Sequence, residues 1–173
     1  MSISVTDKEI QVTGGERVKE PNRLNSDAIK VFHIADWFLS KSLREKTHMT
    51  HEKLQNLVYF AYGWYYAFFG RPLFKETILA GPQGPVIADL YGRLRRSGEE
   101  HFHGDFGTKR LEQDVLEVLE ATWDAYADRT DIELRSIICR YEAPWARVYQ
   151  TYGRYASIEP HEVQDYFETL ANE

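Results

Sequence analysis

The sequence predicts a mainly α protein. It is expected to form a single compact helical domain over residues 27–173, with one small extended segment or hairpin around residues 74–86 and a polar arm over residues 1–26. Three observations lead there. Apolar residues recur at helical spacing in several separate windows, and capping and stop signals bracket those windows. Only the stretch after Pro72 combines partly β-branched composition with Gly-Pro turns, and it is too short for a typical helix. At 173 residues the chain fits one domain and can bury a sizeable core without cross-links.

Residues 1–26 are polar, carry mixed charges, include Gly14-Gly15 and Pro21, and contain no aromatic residue. That composition predicts a flexible arm, in which the weak alternation of Ile3, Val5, Ile10 and Val12 leaves room for a short strand. Ser26-Asp27 supplies an N-cap for a first helix expected through Leu43, with Val31, Ile34, Ala35 and Phe38 on its inner side. Thr50 caps the second helix, Glu52 places an anion in its first turn, and Gly70 with Pro72 ends it.

This second helix carries the most unusual stretch. Leu57 to Gly70 is uncharged, and eight of its residues are aromatic. A membrane span needs roughly 20 apolar residues, and Lys53 and Arg71 bound this run too closely. Tyr and Trp also prefer interfaces to the hydrocarbon centre. Leu54, Leu57, Val58, Ala61 and Tyr65 line one face, Tyr59, Tyr62 and Tyr66 a second, and Phe60 and Trp64 a third. A helix apolar all round is packed on several sides.

Phe74 to Leu79 then reads as extended, followed by turns at Gly81-Pro82 and Gly84-Pro85. Pro85 is expected to open a helix that stops at Gly98. Thr108 is expected to cap a long amphipathic helix through Leu111, Val115, Val118, Leu119, Thr122 and Tyr126. Thr130 and Glu133 have capping-box spacing before Leu134, Ile137 and Ile138. Pro144-Trp145 enters a short helix to Tyr149, and Glu159-Pro160 opens a last one with Val163, Tyr166, Phe167 and Leu170.

Catalytic signals are sparse. The zincin string needs two imidazoles one turn apart. Gln55 follows His51-Glu52 and Asp165 follows His161-Glu162 where the second His would stand. His101, His103 and Asp105 form the best local cluster for a metal, but no fourth ligand is evident, and a polar loop is the preferred reading. Cys139 lies among Ile137, Ile138 and Arg140 and reads as a packed thiol. No phosphate-binding loop occurs. The expectation is therefore no enzyme, no metal and no cofactor. A metal-dependent enzyme built on the histidine loop is kept as the weaker alternative.

The formal charge of −6 argues against wholesale phosphate binding. Arg93, Arg95, Arg96, Lys109 and Arg110 form the one basic concentration, and Glu99, Glu100 and Asp105 dilute it, so DNA binding is not expected. One cysteine suits a reducing cytoplasm, and the first residues lack the pattern of a signal peptide. The expected location is cytoplasmic.

The segment EKLQNLVYFAYGWYYAFFGRPLFKETILAGPQGPVIADLYGRLR resembles the Panacea domain, also called the SocA-like antitoxin domain. The matching positions are Lys53, Leu54, Gln55, Leu57, Tyr59 and Phe60, then Pro72, Leu73 and Phe74, then Gly84, Pro85, Val86 and Tyr91. Pro144-Trp145 and the terminal Ile158, Val163, Tyr166 and Phe167 extend the likeness, which covers roughly residues 30 to 168. Pro82 and Gln83 depart from the bulky residues usual before Gly-Pro-Val.

The resemblance implies an antitoxin that neutralises a cognate protein toxin by direct binding. The alternative it implies is an adaptor that delivers the toxin to a ClpXP-type protease, and related genes sit on prophages and mobile elements. It brings no catalytic residues and no cofactor. The residues expected to contact the partner are Tyr59, Tyr62, Tyr66, Gln83, Tyr91, Arg95 and Trp145. Tyr and Trp bury large areas at interface hot spots with few rotors.

Overall fold

A computed structural model describes residues 2–5, 8–11, 29–97 and 110–173. Its helices are α1 (Val31–Glu45), α2 (His51–Phe69), α3 (Ala88–Ser97), α4 (Gln113–Tyr126), α5 (Asp131–Ile138), α6 (Pro144–Tyr152) and α7 (Pro160–Ala171). The strands are β1 (Ser2–Val5), β2 (Lys8–Gln11), β3 (Ile78–Gly81), β4 (Gly84–Ile87) and β5 (Ser157–Ile158). The fold is predominantly α, with a small antiparallel sheet of order β4-β3-β5.

Helix α2 begins and ends where its local chemistry dictates. Thr50 accepts the Lys53 N–H at 2.9 Å. Gly70 closes the helix at φ 65°, a left-handed conformation that costs glycine nothing. Between these caps the helix is buried on every side, with α1, α4, α5, α7 and β4 around it. Leu54, Leu57, Val58 and Ala61 are fully enclosed. Phe60 stacks on Tyr126 of α4 at 3.9 Å between ring centroids, and Trp64 donates its indole N–H to the Tyr126 hydroxyl at 3.1 Å.

Gly63 permits α7 to come close. A Cβ there would lie 2.3 Å from the Phe167 ring. Phe167 in turn meets Tyr59 and Trp64 edge-on, at 5.8 and 5.0 Å. The aromatic density of α2 is thus spent on packing its neighbours against one helix. Each such aromatic pair adds about 0.5–1.5 kcal/mol beyond the area it buries.

Several boundaries differ from expectation. Helix α1 starts at Val31, where the Lys30 N–H donates to His33 Nδ1 at 3.1 Å and the Val31 N–H to Glu76 Oε1 at 3.1 Å. The expected cap at Ser26-Asp27 lies outside the described residues, as does Thr108. Helix α4 starts at Gln113, so Leu111 precedes it, while Val115, Val118, Leu119, Thr122 and Tyr126 are buried as their spacing predicts. Pro85 does not open a helix. It sits in β4 opposite Ala80, and α3 begins at Ala88. Cys139 caps the end of α5 rather than lying within it.

The 74–86 segment forms a hairpin, and β5 adds a third strand that the sequence did not signal. Ile78 pairs with Ile87 on one side and with Ile158 on the other. Two backbone bonds extend the seam, Ala80 N–H to Ala156 O and Tyr155 N–H to Ala80 O, both 2.8 Å. Within the 1–26 stretch, β1 and β2 form an antiparallel pair lying against α7 and α4, and the remainder of the expected arm lies outside the described residues. No helix among the described residues is long and apolar enough to cross a membrane.

Candidate partner-binding cleft

A cleft of about 320 Å3 opens between the first turns of α2, the β3–β4 turn, α3 and Tyr155. Its walls are held firmly. Thr50 Oγ1 donates to Asp131 at 2.9 Å, and Glu52 accepts from the Arg135 guanidinium, with the Arg135 Nε bond 3.0 Å long. Both contacts fasten the start of α2 to α5. The opposite wall is the two-residue turn Pro82-Gln83, closed by the pairing of Gly81 with Gly84.

Both glycines of that turn are required. Gly84 has φ 136°, which side chains of L-residues rarely adopt. A Cβ on Gly81 would lie 2.5 Å from Val86 and 2.9 Å from the Gly84 carbonyl oxygen. Trp145 then pins the turn from α6 by donating its indole N–H to the Gly81 carbonyl at 2.8 Å.

The floor of the cleft is polar in a specific way. Gln55 is 5% exposed, and its Oε1 accepts the Ile87 N–H at 2.9 Å. That bond fixes the amide and leaves Nε2 buried without a partner. Asn56 is 2% exposed, its Oδ1 faces Gly84, and its Nδ2 is likewise buried without a partner. A buried donor left unpaired costs about 1–3 kcal/mol. Tyr59 Oη and Thr122 Oγ1 are unpaired too, but neither lines this cleft.

The rim is aromatic. Tyr91 on α3 is 42% exposed and Tyr155 is 53% exposed. Tyr155 adopts φ 61°, a strained conformation for a tyrosine that places its ring at the cleft mouth. Arg95 lies 5.8 Å from the centroid of the Tyr91 ring. Pro82, Pro85, Val86 and Leu94 supply the apolar part of the lining, and His51, Glu52 and Gln83 add polar groups to it.

The residues expected to contact a partner are therefore dispersed. Gln83 and Tyr91 line this cleft, Arg95 flanks it, and Trp145 braces its turn. Tyr59, 1% exposed, and Tyr62, 3% exposed, are enclosed, with Tyr62 at the bottom of a separate recess beside Phe74 and Pro160. Tyr66 is half-buried and edge-on to Tyr62. Burial raises the phenol pKa of both Tyr59 and Tyr62 above its ordinary value. Gln55, Asn56 and Tyr155 were not among the expected residues. A signal for the first two existed, because amides embedded in an all-round apolar helix must be buried.

No group of three or more His, Cys, Asp or Glu side chains among the described residues is placed to hold a metal ion. His101, His103 and Asp105 lie outside those residues. Burial pushes the Cys139 thiol up to about 11, which suits packing rather than nucleophilic attack.

A family profile described as "Antitoxin SocA-like, Panacea domain" matches residues 54–146. The chain belongs to this SocA-like Panacea family. The match takes in most of α2, the β3–β4 hairpin and α3, so it spans much of the cleft as well as the core. It does not reach Tyr155, which comes from the segment leading into β5. No curated protein and no solved structure shows significant similarity to the chain. In this Panacea domain the central aromatic helix is the scaffold, and the cleft lies at its N-terminal end.

Proposed function

We propose that this Panacea domain is an antitoxin that neutralises a cognate protein toxin by direct binding. The observation that carries the reading is the match to an antitoxin family across the central half of the chain. A binding protein of this kind needs a rigid scaffold and an accessible, chemically specific surface. The enclosed aromatic core answers the first need and the tyrosine-rimmed cleft the second. Gln83, Tyr91 and Arg95 are the expected contact residues that this surface retains, with Trp145 holding its turn in place. In this reading the protein is not an enzyme and acts stoichiometrically in the cytoplasm.

The test is growth of cells expressing the adjacent open reading frame, alone and together with this chain. Arrest by the neighbour and rescue by this chain are expected. A toxic neighbour that this chain fails to rescue would refute the reading. Toxin abundance in rescued cells then reports mechanism: persistent toxin means occlusion, and toxin that disappears only when ClpXP is present means delivery to the protease.

A further inference from the structure

We infer that the recess between α2, the loop at residues 70–77 and β5 holds an arginine side chain of the toxin, with the guanidinium on Tyr62 and Glu159 and the stem along Phe74. The inference rests on the antitoxin reading and adds to it a second contact and the charge of the group recognised. The recess measures about 330 Å3. It has room for one long side chain and too little for a helix, which is about 10 Å across.

Three observations select this occupant. First, Tyr62 borders the recess with 3% of its surface exposed, and its hydroxyl bonds to no described residue. That hydroxyl is nevertheless open, for the unpaired Tyr59 Oη is sealed from solvent and the unpaired Tyr62 Oη is not. A buried phenol usually finds its partner within the chain, so an open, unpaired one marks a place for an outside group.

Second, the charge balance of the lining is negative. Glu76 and Glu159 both border the recess, and neither forms an ion pair among the described residues. Glu76 accepts only the neutral backbone N–H groups of Val31 and Lys75, both at 3.1 Å. Lys75 borders the recess as well, but its side chain is exposed and pairs with neither carboxylate. The positive end of α7 does not reverse this balance, because Glu162 stands in its first turn and accepts the Glu159 N–H at 3.4 Å. A cation is thus favoured over an anion, and the formal charge of −6 draws a basic partner surface towards the chain.

Third, the walls suit a planar cation on an apolar stem. The Tyr62 and Phe74 rings stand 4.7 Å apart, and Pro72, Ile158 and Pro160 complete the apolar side. Aromatic faces attract cations, arginine more often than lysine. An arginine stem buries along apolar surface while its fork spreads donors over separate acceptors, here Tyr62, Glu159 and the Ser157 hydroxyl. Ser157 follows Tyr155 by two residues, about 7 Å along an extended chain. A partner seated over the cleft mouth therefore reaches this recess.

The direct probe is acetyl-arginine amide, titrated into the full chain while its NMR spectrum is recorded, with the neutral isostere acetyl-citrulline amide as control. Arginine amide is expected to shift the resonances of Tyr62 and Ser157, and citrulline amide to leave them in place. Equal responses to the two, or none to either, would overturn the inference. In cells, Tyr62→Phe removes only the unpaired hydroxyl and Glu159→Gln only the charge. Both variants are expected to keep the cooperative thermal transition and to require about tenfold more antitoxin for rescue from the toxic neighbour. Undiminished rescue by both would overturn the recess as a toxin contact while leaving the antitoxin reading intact. Rescue lost only together with the thermal transition would mark the residues as structural and overturn the inference as well. Failure of the wild-type chain to rescue, with arginine amide still bound, would remove the antitoxin reading and the toxin as occupant.

Discussion

Gln55 Oε1 accepts the backbone N–H of Ile87 at 2.9 Å, so one side chain of the central helix takes the place of a missing strand on the free edge of the sheet. Its neighbour Asn56 has the same chemistry and a similar depth, yet its Nδ2 holds nothing. The two amides therefore predict opposite responses to the same substitution. Gln55→Leu strands the buried Ile87 N–H and should cost about 1–3 kcal/mol. Asn56→Leu should leave stability unchanged or raise it slightly. Urea denaturation of the two variants makes the comparison, and equal losses would contradict it.

Gly63 and Phe167 set the distance between α2 and α7. With a Cβ 2.3 Å from the ring, Gly63→Ala forces the helices apart or the ring out of place. A loss of about 1–3 kcal/mol is expected, as for other overpacked cores. Adding Phe167→Leu should return part of that loss, because the smaller side chain relieves the contact that the methyl group creates. Thermal melts of the single and double variants measure the coupling. Strict additivity would show that the two residues do not constrain each other.

The buried phenols predict lability in alkali. Burial raises the pKa of Tyr59, Tyr62, Tyr65 and Tyr126 above the ordinary phenol value, and pushes the Cys139 thiol up to about 11. In each case the folded chain retains a proton that the unfolded chain releases at lower pH. Their contribution to stability is thus complete below about pH 9 and disappears as pH rises through the folded values. The melting temperature should hold steady from neutral pH to about pH 8.5 and fall steeply above about pH 9.5. A flat profile to pH 11 would mean that these hydroxyls are reached by water.

How much of this was legible depended on whether the deciding contact was local. The caps at Thr50, Gly70 and the Thr130–Glu133 pair were readable because partner and cap lie within one turn. The central position of α2 was readable from its composition. Pro85 was misread because a proline that opens a helix and one on an edge strand look alike within a few residues. What separates them here is the partner strand Ile78–Gly81 and, beyond it, the two-residue strand Ser157–Ile158. The cleft was only partly legible. Gln83 and Tyr91 stood out as a turn residue and an aromatic, whereas Tyr155 reaches the site through a strand pairing that no nearby residue announces.

The seam between β3 and β5 joins the middle of the chain to its end, as does the packing of Gly63 against Phe167. During synthesis, α2 and the β3–β4 hairpin leave the ribosome long before the residues that cover them. Until the last helix has been made, the aromatic face around Gly63 lacks its lid and the cleft lacks Tyr155. An unfinished chain thus lacks both the Gly63–Phe167 contact and the β3–β5 pairing, so the core closes only with the final segment.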